Sequence, residues 1–99
     1  MSSLRGAGPT AVARQLEIKN RLGLHARAAA LIVQAVAKFD AEITVTKDDQ
    51  TVNGKSILGL MMLAAGPGSF IDVTAQGPDA QPALDAIAEL IDARFNEDG

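Results

Sequence analysis

The hydrophobic pattern of this chain switches repeatedly between a spacing of two residues and a helical spacing, and that switching restricts the fold more than any other feature. Residues 15–19 alternate, with Leu16 and Ile18 on one face and Gln15, Glu17 and Lys19 on the other, as a half-buried strand requires. Over 26–38 the chain is rich in alanine, and Ala29, Val33 and Val36 recur at helical spacing with Ile32 beside them. Alternation returns at 42–47, where Ile43 and Val45 share a face, and Asp48-Asp49 supplies a turn into a short strand over 50–53. Asn53-Gly54 breaks that strand, and Ser56 stands at the N-cap of a second helix carrying Ile57, Leu58, Leu60, Met61 and Leu63. Gly66-Pro67-Gly68 is expected to stop it, and 70–75 to form a fourth strand with Ile71 and Val73 inward. Gly77-Pro78-Asp79 then turns into a capped last helix whose stripe is Leu84, Ile87, Ala88, Ile91 and Phe95.

The order strand, helix, strand, strand, helix, strand, helix predicts an α+β open-faced sandwich. In it a four-stranded antiparallel sheet carries three helices on one face and meets solvent on the other. Ninety-nine residues allow one core, and aromatics at 3% mean that Leu, Ile, Val, Ala and Met must build it, with Phe39, Phe70 and Phe95 as the only rings. Residues 1–13, with Ser2, Ser3, Gly6, Gly8 and Pro9, have little apolar surface and are expected to form a flexible tail ahead of a domain spanning 14–99.

Charge and composition exclude several functions. A net charge of -3 and the scarcity of rings for base stacking argue against nucleic-acid binding. Without cysteine and with one histidine, the chain has neither disulfides nor the usual zinc ligand set, and no metal or cofactor is expected. Asp85, Glu89 and Asp92 fall at helical spacings that imitate a chelating face, but a solvated helix surface explains them better. The apolar run 28–33 is far below the ~20 residues a membrane span needs, so membrane insertion is not expected and a cytoplasmic location is. The charge is nevertheless uneven, with Arg5, Arg14, Lys19, Arg21 and Arg27 against Glu17 over residues 1–27, and Asp72, Asp79, Asp85, Glu89, Asp92, Glu97 and Asp98 against Arg94 over residues 72–99.

The chemistry concentrates at Gly23-Leu24-His25-Ala26-Arg27. His25 falls at the entrance of the first helix, where backbone N–H groups lack intrahelical partners and the helix dipole favours negative charge. The N–H groups of Ala26 and Arg27 would face a phosphate there, and the same field disfavours a protonated imidazole, keeping the ring nucleophilic. Arg27 can swing its guanidinium toward the anion. An isolated histidine at a helix start is usually a cap without chemistry. Its glycine and arginine neighbours are hard to explain by packing alone.

Those residues, together with Asn53-Gly54-Lys55-Ser56-Ile57-Leu58-Gly59-Leu60-Met61 at the right distance, resemble the HPr family, the histidine phosphocarriers of the bacterial phosphoenolpyruvate-dependent phosphotransferase system. The likeness spans roughly residues 14–96. It implies that His25 takes phosphate on Nδ1 from enzyme I and delivers it to an enzyme IIA domain, with Arg27 stabilising the phosphate. It implies a monomeric carrier with a phosphohistidine intermediate rather than an independent turnover enzyme. It implies a docking face made of Leu24, Ala28, Ile57, Leu58 and Met61. It also implies that Ser56 is the target of a regulatory kinase and phosphorylase in some bacteria. Proline usually stands where this chain has Ala28, which leaves the first helical turn less constrained and leaves two branches open, sugar transport or nitrogen-related regulation by phosphorylation-dependent binding.

Three bland readings stand beside these. Gly54-Lys55-Ser56 imitates the end of a P-loop, but Asp49 occupies the position of its first glycine. Ser56 serves as an N-cap whether or not it is modified. Of the adjacent methionines, Met61 is expected exposed and Met62 buried. A hydrolase acting on phosphorylated substrates would need a second group to position water near His25, and none is evident.

Overall fold

The computed structural model describes residues 11–97. The strands are β1 (Ala11–Glu17), β2 (Glu42–Lys47), β3 (Gln50–Asn53) and β4 (Phe70–Gln76), and the helices α1 (Ala26–Val36), α2 (Ile57–Met62) and α3 (Ala80–Asp92). They follow the expected order and form one sheet, β1-β4-β2-β3, in which every neighbouring pair is antiparallel. The period-two pattern sets the faces. Leu16, Ile43, Val45, Ile71, Val73 and Ala75 are buried beneath the helices, whereas Glu42, Thr44, Asp72, Thr74 and Gln76 lie exposed on the open face. Ala29, Ile32 and Val36 of α1 and Ala83, Leu84, Ile87 and Ile91 of α3 close the core from above. Among the described residues no helix is long and apolar enough to cross a membrane.

Several boundaries differ from expectation. β1 begins at Ala11 rather than at Gln15, because Ala11, Val12 and Ala13 pair with Gln76, Ala75 and Thr74; backbone pairing extends the strand through residues too small to signal it. Residues 11–13 thus belong to the folded domain and not to the expected tail, while residues 1–10 lie outside the described residues. α2 ends at Met62, before Gly66-Pro67-Gly68, where Ala64 adopts a φ of 51° that no helix accommodates. Asp79 does not cap α3 with its side chain; its carboxylate accepts from the Asp40 N–H at 2.7 Å instead.

α3 stops at Asp92, so Phe95 is not part of its stripe. It sits fully buried in a tight turn, Arg94–Asn96, whose residues have φ of 54°, 53° and 58°. Three consecutive left-handed residues without glycine are strained at ~1 kcal/mol or more each. Burial of the Phe95 ring and the hydrogen bonds around it hold them there.

Candidate functional site

His25 is the N-cap of α1, with extended backbone (φ -75°, ψ 179°), and the first intrahelical bond runs from the Ala29 N–H to its carbonyl at 2.9 Å. The His25 side chain makes no capping hydrogen bond, and no acidic residue lies in the first turn. Histidine therefore occupies the position where serine or aspartate would cover the free N–H groups, leaving those of Ala26 and Arg27 available to an anion. α2 makes the contrast plain, because Ser56 does cap it, its Oγ accepting from the Gly59 N–H at 3.0 Å.

The loop ahead of α1 aims the ring. Gly23 has a φ of +66°, and a Cβ there would collide with the Ala65 carbonyl, so only glycine fits. Leu24 donates its N–H to that same carbonyl at 2.9 Å, tying the histidine loop to the segment leaving α2. The Gly23 carbonyl lies 3.0 Å from Nδ1 of the half-buried His25 ring. A carbonyl only accepts, so Nδ1 carries the proton and the lone pair of the neutral ring is on Nε2.

Three residues of this arrangement were not foreseen. Asn20, buried to 1% exposure, donates from Nδ2 to the Gly23 carbonyl at 2.8 Å and to Glu97 Oε2 at 2.6 Å. The other carboxylate oxygen of Glu97 accepts from the Leu22 N–H at 3.3 Å. The Asn20 hydrogen bond above all, and after it the Leu22 N–H, hold the Glu97 carboxyl below the usual glutamate range. Arg27 is engaged with the last turn of the described chain, its Nη1 donating to the Phe95 carbonyl at 3.2 Å. Asn20 is close enough in sequence to have been suspected from its loop; Glu97 and Phe95 give no local signal.

Ile57, Leu58 and Met61 are exposed as expected, and α1 and α2 pack against each other. The docking face otherwise needs correcting. Leu24 at 4% and Ala28 at 0% exposure are core residues with no surface to offer a partner. Met62 is exposed at 66%, more than Met61 at 39%, because a helix this short buries only Leu60. Leu22, on the histidine loop, adds a further exposed apolar side chain.

The family model described as "PTS HPr component phosphorylation site" matches residues 12–93. The phosphocarrier protein NPr of Shewanella violacea is 47% identical over 88 residues, covering 89% of this chain and 97% of that protein. The phosphocarrier protein HPr of Treponema pallidum is 46% identical over 87 residues, covering 88% and 99%. The crystal structure of HPr from Thermoanaerobacter tengcongensis superposes with a TM-score of 0.84 at 43% identity, covering 89% of this chain and 99% of that one. The class is that of the small phosphocarriers. Within it, the chain belongs to the HPr family of the phosphotransferase system.

Proposed function

We propose that the protein accepts a phosphoryl group from enzyme I on Nδ1 of His25 and passes it to an enzyme IIA domain in the cytoplasm. The observation that carries this reading is the placement of the histidine as the bare N-cap of α1, where the helix presents free N–H groups to an anion. Before transfer the ring gives up its Nδ1 proton and takes one on Nε2, which breaks the contact with the Gly23 carbonyl. The Nδ1 lone pair then attacks phosphorus as the bond to the donor breaks and its electron pair stays with the donor. Arg27 leaves the Phe95 carbonyl for the phosphate, exchanging a neutral acceptor for a charged one that binds about twice as strongly. Leu22, Ile57, Leu58, Met61 and Met62 supply the apolar part of a transient interface for a monomeric carrier.

The test is incubation with enzyme I, magnesium and phosphoenolpyruvate, read by intact mass and acid lability. One acid-labile phosphate that is lost in His25→Ala supports the carrier; no gain, with enzyme I active on another carrier, sinks it. A second reading, a regulator that acts by phosphorylation-dependent binding, stands beside it, because the chain is 47% identical to a protein named NPr and 46% identical to one named HPr, and that identity does not choose between the branches. The two readings part on the acceptor: transfer onward to a sugar-specific enzyme IIA supports the first, and capture of a partner only in the phosphorylated state, without onward transfer, supports the second. Ser56, with its hydroxyl at the rim of the apolar face, is the proposed target of a regulatory kinase and phosphorylase in either case.

A further inference from the structure

Asn20 is a buried amide where an apolar residue would pack at lower cost, and its Oδ1 has no partner among the described residues. Its surroundings explain the retention. The amide nitrogen faces two acceptors, the Gly23 carbonyl and Glu97 Oε2, so only an NH2 group satisfies the site and an aspartate would be repelled by both. The Gly23 carbonyl thus accepts from Asn20 on one side and from His25 Nδ1 on the other. The chain of contacts runs from the Glu97 carboxylate through the Asn20 amide and the Gly23 carbonyl to the imidazole.

We propose that Asn20 and Glu97 are positioning residues that hold the Gly23 carbonyl against His25 and thereby keep the neutral ring in its Nδ1–H tautomer. A histidine free in solution prefers its proton on Nε2, so a ring held the other way requires an acceptor fixed at Nδ1. Glu97 is itself fixed, because the Leu22 N–H binds its second oxygen and the turn Arg94–Asn96 anchors its backbone through the buried Phe95. The pair therefore acts as a brake, keeping the lone pair off the nitrogen that takes the phosphate until the contact is broken. This last consequence rests on Nδ1 being the acceptor; the tautomer itself does not.

The test uses the full chain labelled with 15N, whose single histidine makes the ring signals unambiguous. Ring shifts are read at alkaline pH, at the plateau where they no longer change with pH. The wild type is expected to show a protonated Nδ1, Glu97→Ala and Asn20→Ala a shift of the major species toward Nε2–H, and Glu97→Gln, which keeps one acceptor for Asn20, the wild-type signature. Wild-type shifts in Glu97→Ala would overturn the proposal, as would equal shifts in Glu97→Ala and Glu97→Gln. Should Asn20→Ala fail to fold, the two Glu97 variants decide, since that side chain is outside the core. The initial rate of phosphoryl acceptance is then compared: a faster Glu97→Ala supports the brake on Nδ1. A moved tautomer without a faster rate leaves the positioning pair standing and refutes Nδ1 as the acceptor.

Discussion

Arg27 shows how little a side chain's position in the resting state says about its role. One of its five N–H donors meets the neutral Phe95 carbonyl at 3.2 Å, a contact that, on the proposed function, is exchanged for one to the phosphate on His25. A hydrogen bond to a charged partner contributes about 1.5–3 kcal/mol, so Arg27→Ala is expected to slow phosphoryl acceptance roughly 10- to 100-fold, measured as the initial rate at fixed enzyme I. The protein should remain folded, because the residue is exposed. Ser56 behaves oppositely. Its hydroxyl oxygen already caps α2, so Ser56→Ala should lower unfolding stability by ~1 kcal/mol in a urea titration without changing the phosphorylation of His25. Ser56→Asp should retain that stability, since a carboxylate caps equally well and faces the positive end of the helix dipole, yet weaken enzyme I binding by placing charge beside exposed Ile57 and Leu58. A Ser56→Asp variant that binds as well as wild type would remove the physical basis for regulation there.

At the scale of elements, the sequence was readable wherever a face is buried by regular geometry. Ile43 and Val45, Ile71 and Val73, and the stripe through Leu84, Ile87 and Ile91 all lie inward as their spacing requires, because burial of alternate or helically spaced residues is what the pattern records. It failed where structure depends on partners distant in sequence. Ala11–Ala13 are strand only because β4 is there to pair with them, and Phe95 leaves the α3 stripe because the chain turns left-handed to seat it. The helix entrance at His25 was legible from its neighbours, whereas the contact between Arg27 and Phe95 was not, nor was that of Glu97 with Asn20, which spans 77 residues. The turn Arg94–Asn96 has a measurable signature. Its three residues at positive φ are held by one fully buried ring, so Phe95→Ala removes the anchor and should cost about 3–5 kcal/mol in denaturant unfolding. Part of that loss should appear first as faster amide exchange at Leu22, whose N–H donates to the carboxylate of Glu97, the residue that follows this turn.

Across the whole molecule, the fold brings part of the basic start of the chain to part of its acidic end. β1 pairs with β4, Lys19 Nζ meets Asp92 at 2.9 Å, and Glu97 reaches the loop that bears His25, so the basic start and acidic end are brought together along one seam. Both carboxyls on that seam titrate below their ordinary values: Asp92 through its hydrogen bond with and charge attraction to Lys19, Glu97 through its hydrogen bonds to Asn20 and the Leu22 N–H. A carboxyl whose pKa is depressed by folding stabilises the native state fully above its unfolded value, about 3.9 for Asp and 4.3 for Glu, and loses that contribution as pH falls through the lower folded value. Stability should therefore fall as pH drops below about 4.3, and the gap between wild type and Glu97→Gln should narrow over the same range. Salt separates the two contributions. The Lys19–Asp92 pair is exposed on both sides and screened by ions, whereas Glu97 is held chiefly by uncharged donors that ions do not screen, with His25 adding the smallest contribution. In 1 M salt, where the screening length is about 3 Å, the acid-dependent difference between wild type and Asp92→Asn should largely vanish while that between wild type and Glu97→Gln persists. Urea midpoints from pH 6 to pH 3, with and without salt, measure both; a Glu97 contribution that vanishes with salt would mean that its carboxylate acts through charge rather than through the Asn20 amide and the Leu22 N–H.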